Sequence, residues 1–160
     1  MGASTTKKVV IDRFDRAQVK GFVNPQAMTC PTGVELLSLD GQVTIVPYEQ
    51  IKVLSFVRDW EGKIVLGERR EFLARPKTAG LWVELIFRDG DRLEGVVPSN
   101  LLLLDSAGYS VAPPETAGNA QRLFVPRQAL RAVNVLGVVG AKKARPPRRE
   151  SAQISLFPAE

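Results

Sequence analysis

The sequence predicts an all-β protein of two small β-modules in tandem, followed by a disordered basic tail. Three observations lead there. One segment occurs twice: Val46-Pro47-Tyr48-Glu49-Gln50-Ile51-Lys52-Val53-Leu54 reads like Val125-Pro126-Arg127-Gln128-Ala129-Leu130-Arg131-Ala132-Val133. Both run Val-Pro, three turn residues, Ile or Leu, a cation, then a mostly apolar strand, and such self-similarity sets architecture. Short apolar, β-branched runs alternate with turn residues, among them Asp40-Gly41 and Asp89-Gly90, a dipeptide that favours tight hairpins. No strong helix is predicted anywhere.

The first module spans residues 7–57. Residues 8–14 (Lys-Val-Val-Ile-Asp-Arg-Phe) form a strand, and Asp15-Arg16 turns it. Residues 18–23 form the second strand, with Gly21 inside, where a glycine marks a bulge or a sharp bend. Asn24-Pro25 ends it and a loop follows to Thr32. Residues 33–39 and 42–46 make a hairpin around Asp40-Gly41. Pro47 opens a tight helical-type turn, a position suited to its fixed φ. Residues 51–57 are the fifth strand.

Residues 58–80 break this rhythm. They read as a partly ordered connector with short strands at 63–66 and 71–73, and with Trp60 as a packing anchor. The pattern restarts in a second module at 81–140. Strands are expected at 81–88 and 91–97 around Asp89-Gly90, and Gly95 takes the place of Gly21. Further strands follow at 101–105 and 109–112. A polar loop at 113–120 reads as an insertion before strand 121–125, the turn 126–129 and the strand 130–138. The two closing strands, 51–57 and 130–136, are apolar on both faces. Half-solvated strands alternate, so both are expected to be covered on both sides, each module by the other.

Net charge is +5, but it is unevenly placed. Residues 1–140 are nearly neutral, and the tail at 141–160 carries five cations against two carboxylates. There is no histidine and one cysteine. This removes the usual general base, the His-dependent triads and a zinc-type Cys cluster. Cys30, in Thr29-Cys30-Pro31, has nothing near it in sequence to lower its pKa. No carboxylate pair has a mechanistic spacing and no Gly-rich phosphate loop precedes a helix. The sequence therefore predicts a non-enzymatic protein with no cofactor and no metal. No apolar run is long enough to span a bilayer and no signal-peptide core is present, which implies a cytoplasmic protein without membrane contact. Oligomeric state is not given by the sequence, although exposed strand edges invite self-pairing.

Candidate binding residues concentrate in the tail. Lys142, Lys143, Arg145, Arg148 and Arg149 form a basic, extended linker suited to weak, salt-sensitive nucleic-acid contact. Beyond it, Gln153-Ile154-Ser155-Leu156-Phe157 closely resembles the Gln-Leu-Ser/Asp-Leu-Phe pentapeptide by which bacterial replication and repair proteins bind the DNA sliding clamp. The resemblance implies that Leu156 and Phe157 fill an apolar pocket, Gln153 hydrogen-bonds at its rim, and Ile154 stands where Leu is usual. The leading expectation is an adaptor tethered to the clamp through these residues.

Five short strands with one helical turn before the last are similar to SH3-like and Sm-like small barrels. Residues 83–104, with the Asp-Gly turn, Gly95 and Asn100, resemble the first Sm motif, which implies RNA binding. The second Sm motif departs, since Val125-Pro126-Arg127-Gln128 lacks its glycine. A third expectation comes from the PilZ family of cyclic-dinucleotide sensors, whose Arg-x-x-x-Arg spacing Arg88 and Arg92 share. Asp105-Ser106-Ala107-Gly108 only loosely matches the other PilZ motif. Finally, Gly21-Phe22-Val23-Asn24-Pro25, Val46-Pro47-Tyr48-Glu49, the run from Arg75 to Trp82 and Val125-Pro126-Arg127 together resemble an uncharacterised family of small bacterial proteins of unknown function. That resemblance covers the chain to about Gly140 and implies no activity.

Overall fold

Strand-forming residues give ten strands in a computed structural model that describes residues 6–60, 71–72, 74–99, 107–114 and 120–140. They are β1 (Lys7–Arg13), β2 (Gln18–Val23), β3 (Gly33–Ser38), β4 (Val43–Pro47), β5 (Ile51–Val57), β6 (Gly80–Phe87), β7 (Arg92–Val97), β8 (Gly108–Val111), β9 (Ala120–Pro126) and β10 (Leu130–Val139). A single 3-10 turn precedes β5 (Tyr48–Gln50) and another precedes β10 (Arg127–Ala129), each entered from a proline. The expected strands at 63–66 and 101–105 and the whole tail lie outside the described residues. Glu71 and Phe72, expected to open a short strand, lie outside any strand.

All strand pairs are antiparallel. One sheet has the order β4-β3-β2-β1-β5-β9-β8 and the other β10-β6-β7. Reciprocal bonds between Val96 and Ala112 (N–H to O, 3.0 and 2.9 Å) tie β7 to the end of β8. The ladder thus runs from β10 at one edge to β4 at the other. Neither sheet closes on itself, so two open sheets replace the two expected barrels. The reason is local: the second edge of β5 pairs with β9 of the other half instead of returning to β4.

The two halves agree register for register. Val9 faces Gly21 as Val83 faces Gly95, and Gly33 faces Pro47 as Gly108 faces Pro126. Phe56 faces Val9 as Val135 faces Val83. The turns match as well: Phe14 N–H bonds Gln50 O (3.2 Å) as Arg88 N–H bonds Ala129 O (2.9 Å). Both Asp-Gly dipeptides form the expected hairpins, with Gly41 and Gly90 at positive φ (91° and 98°). Gly33 and Gly108 answer a different need. A Cβ there would stand 2.1 and 2.3 Å from the backbone oxygens of Val46 and Val125, so the third and fourth strands of each half could not pair as closely.

Burial divides into two cores. Val9, Ile11, Val34, Leu36, Ile51 and Leu54 anchor the first, and Val83, Leu85, Phe87, Leu93, Val111 and Leu123 the second. Each core also borrows from the other half: Phe124 of β9 belongs to the first and Val53 of β5 to the second. Successive side chains on a strand point to opposite faces, so β5 and the Leu123–Pro126 part of β9 form one wall buried on both sides, while Gln121 and Arg122 are exposed. This matches the expectation for residues 51–57. It fails for β10, where Val135, Leu136 and Val138 are exposed. The first half lends no strand to cover it.

Trp60 anchors packing as expected, edge-on to Phe22 with centroids 4.9 Å apart, its indole N–H bonded to Val9 O (3.2 Å). Ser55, in the middle of β5, is fully buried and its hydroxyl has no hydrogen-bond partner among the described residues. A buried hydroxyl without a hydrogen bond costs about 1–3 kcal/mol. Ser55→Ala is therefore expected to raise unfolding free energy by about 1 kcal/mol, read as a higher urea midpoint at unchanged m-value.

Candidate functional site

The cation of the repeated segment builds a densely charged site among the described residues. The β1–β5 register shifts between Asp12 and Arg13, so Lys52 is the extra residue of a bulge. A bulge re-aims its side chain, and Lys52 leaves the β1–β5 ladder to meet the β6–β7 turn. Its ammonium bonds Asp89 at 2.8 Å and also pairs with Asp91. The rings of Phe14 and Phe87 flank it, with centroids at 5.8 and 5.3 Å. Arg88 lies 3.9 Å from the centroid of Phe14 and donates to the carbonyls of Glu49 (2.5 Å) and Gln128 (3.4 Å), one in each 3-10 turn. These groups frame a cleft of about 530 Å³ between the two halves.

Carboxylates in this cleft titrate in opposite directions. Burial pushes Asp12 above its ordinary value, against the Gln18 side-chain hydrogen bond (2.7 Å) and the Lys52 charge. Partial burial also acts on Asp89, but the Lys52 hydrogen bond and the Asp91 N–H outweigh it and hold Asp89 below the ordinary value. The cleft is thus a crossing of internal ion pairs and cation–ring contacts around Lys52, beside which Asp12 Oδ2 and Arg13 Nε are buried without a hydrogen-bond partner among the described residues.

A second cleft of about 560 Å³ lies at the other end of β1 and β7. Met28, Phe56, Val97, Tyr109 and Phe124 give it an apolar floor, and Lys7 and Arg122 stand among its lining residues. It suits an apolar or amphipathic segment better than a small polar molecule.

The structure separates the two arginines that share the PilZ spacing. Arg88 is engaged by Phe14 and the 3-10 turns, whereas Arg92 pairs with Glu84 at 3.1 Å on the second sheet. Gly108, taken from the second PilZ-type motif, sits in β8 against Pro126. Of the residues matched to the first Sm motif, Gly95 packs against Val111 and Asn100 lies outside the described residues. The tail candidates Lys142, Lys143, Arg145, Arg148, Arg149, Gln153, Ile154, Leu156 and Phe157 also lie outside them. Cys30 is half-buried, and its carbonyl accepts the Tyr48 hydroxyl at 2.6 Å. The Lys52 crossing was not anticipated from sequence, although the repeated cation was its visible trace. Nothing in the sequence marked the apolar cleft, because its lining comes from β1, β5, β7, β8 and β9 and from the loop after β2.

Fold and clefts together define an all-β protein of two fused, antiparallel half-units without a helix long and apolar enough to cross a membrane among the described residues. The chain belongs to a family of unknown function, DUF6982, whose model matches residues 5–137. No curated protein and no solved structure matches it.

Replacing Lys52 tests the crossing. Lys52→Met keeps the apolar stem and removes the charge, so it should cost about 1 kcal/mol, and less in high salt. Lys52→Ala should cost about 1–2 kcal/mol more, since it also strips the stem from Phe14 and Phe87. The sign of the pH effect follows from Asp89. Its depressed folded-state pKa contributes stability above the ordinary value of 3.8, lost as pH falls through the lower folded value. The gap between wild type and Lys52→Met, measured by urea unfolding, should therefore close at acid pH.

Proposed function

We propose that the chain is a non-enzymatic binding protein, an adaptor whose β-body carries a tail that docks on the bacterial DNA sliding clamp. The observation that carries this reading is Gln153-Ile154-Ser155-Leu156-Phe157 at the end of the basic linker that holds Lys142 to Arg149. Leu156 and Phe157 supply the two apolar anchors of such a mode, Gln153 the polar contact, and Ile154 a conservative exchange. The linker cations lie where they would meet the DNA that a clamp encircles.

Nucleic-acid binding of an Sm-like kind is the second reading. One observation favours it: β4-β3-β2-β1-β5 with a 3-10 turn before the last strand is the order expected of an SH3-like or Sm-like unit, here opened out and present twice. The PilZ-like reading loses support because Arg88 and Arg92 are engaged by different partners.

Full-length protein with a fluorescent label should bind purified sliding clamp in an anisotropy titration. Leu156→Ala with Phe157→Ala should lower affinity at least tenfold, about 1.4 kcal/mol. Absence of binding at tens of micromolar clamp would sink the adaptor reading. Oligo-uridine binding that persists when Lys142, Lys143, Arg145, Arg148 and Arg149 are all changed to Glu would favour the Sm-like reading instead.

A further inference from the structure

The internal repeat makes one strand pairing in the chain a template for a second. Within the chain, the last strand of the first half pairs with the fourth strand of the second: Leu54 with Phe124, Ser55 with Leu123 and Phe56 with Arg122. The equivalent strands left over are β10, the last of the second half, and β4, the fourth of the first. They are the two outer edges of the ladder, and neither has a partner on its far side among the described residues.

Burial at equivalent positions shows what this leaves bare. Phe124 is 3% exposed, but its counterpart Ile45 is 44% exposed. Val57 is 5% exposed, but its counterpart Leu136 is 45% exposed, and Val135 and Val43 reach 60% and 64%. Phe124 and Val57 are dry where the halves meet and their counterparts are wet at the free edges, whereas Val43 stands in the place of Arg122, which is exposed at the seam as well. β4 (Val-Thr-Ile-Val-Pro) has no charged residue; β10 has none after Arg131, and among the described residues is interrupted only by register shifts at Leu130/Ala132 and Val135/Gly137 and by Arg75, which donates to Val138 O (2.5 Å). Natural edge strands are normally blunted by charge, bulge or cover.

Charge follows the same logic. Lys52 is the bulge residue of β5 and pairs with Asp89 in the β6–β7 turn. Arg131 is the bulge residue of β10, where the register passes from Leu130 to Ala132. The counterpart of Asp89 in the first half is Asp15, in the β1–β2 turn, exposed and paired with Arg13 at 3.0 Å. So the cation of the internal crossing recurs on the free strand β10, and its carboxylate recurs in the β1–β2 turn of the half that ends in β4.

We propose that β10 of one chain pairs antiparallel with β4 of a second copy, repeating between chains the β5–β9 pairing within the chain. The register carries over directly: Val133 faces Ile45 of the second copy, Asn134 faces Thr44, and Val135 faces Val43. Arg131 then reaches Asp15 of the second copy as Lys52 reaches Asp89. The contact is head-to-tail, so each added copy leaves one β4 and one β10 free, and the assembly closes only as a ring.

Two edge variants test this in the full-length protein: Val135→Lys on β10 and Ile45→Lys on β4. Both side chains are exposed, so both variants should keep the wild-type circular dichroism and melting temperature. Light scattering coupled to gel filtration should show wild type larger than a monomer and each variant alone as a monomer. An equimolar mixture should give a dimer and nothing larger, because it holds one intact β10 and one intact β4. A monomeric wild type overturns the proposal. So does a single variant that still self-associates, which would point to β10–β10 or β4–β4 pairing, and so does a mixture that stays monomeric. The register has its own check, in a Cys30→Ser background. Val135→Cys chains mixed with Val43→Cys chains should form a disulfide-linked heterodimer under mild oxidation. Association without that cross-link would overturn the register.

Discussion

Everything in this fold depends on the hydrogen-bonded seam between β5 and β9. Each strand lends residues to two cores: Ile51 and Leu54 of β5 face the first and Val53 the second, while Phe124 of β9 faces the first and Leu123 and Val125 the second. Each fully buried side chain of this size contributes roughly 1.5–3 kcal/mol. Each half presents only five described strands, and without the other half one face of its seam strand would be wet. The halves are therefore interdependent, with a shared wall in place of an interface between finished domains.

Bulges make the wall workable. A strict period of two would put Ile51 and Leu54 on opposite faces, yet both serve the first core. The extra residue at Lys52 restores the phase and at the same time turns the cation out toward Asp89 and Asp91. Arg131 occupies the same place in β10. A bulge that only corrected register could hold any residue. At Lys52 the correction is tied to a partner across the seam, whereas Arg131 is exposed on the outer strand.

Much of this was legible in the sequence. The Val-Pro repeat located both 3-10 turns, Asp-Gly located both tight hairpins, and the matched positions of Gly21 and Gly95 survive as equivalent register points against Val9 and Val83. The doubly apolar character of residues 51–57 correctly announced a strand covered on both faces. Other features were hidden because they are set by pairing between distant segments. Closure into a barrel and fusion into open sheets need the same strands and differ only in where the second edge of β5 goes. Lys52 looked like an ordinary flanking charge, since Asp89 and Asp91 lie far along the chain. The apolar cleft is assembled from side chains as far apart as Lys7 and Phe124, and no local pattern encodes it. For the adaptor reading, the sequence evidence rests on the tail alone, beyond the residues the structure describes.

The misreading of β10 is the most informative of these. Its sequence resembles that of β5, and pattern alone assigns both a dry environment. Apolarity reports the surroundings a strand is built for, and β5 finds them inside the chain because β9 is there. β10 carries the same code with Val135, Leu136 and Val138 bare. A sequence that encodes a cover the described residues of its own chain do not provide is consistent with one that meets its cover in another molecule. On that view the body presents its edges for assembly and the tail for capture. The seam that first reads as scaffold is then also the rule by which copies join.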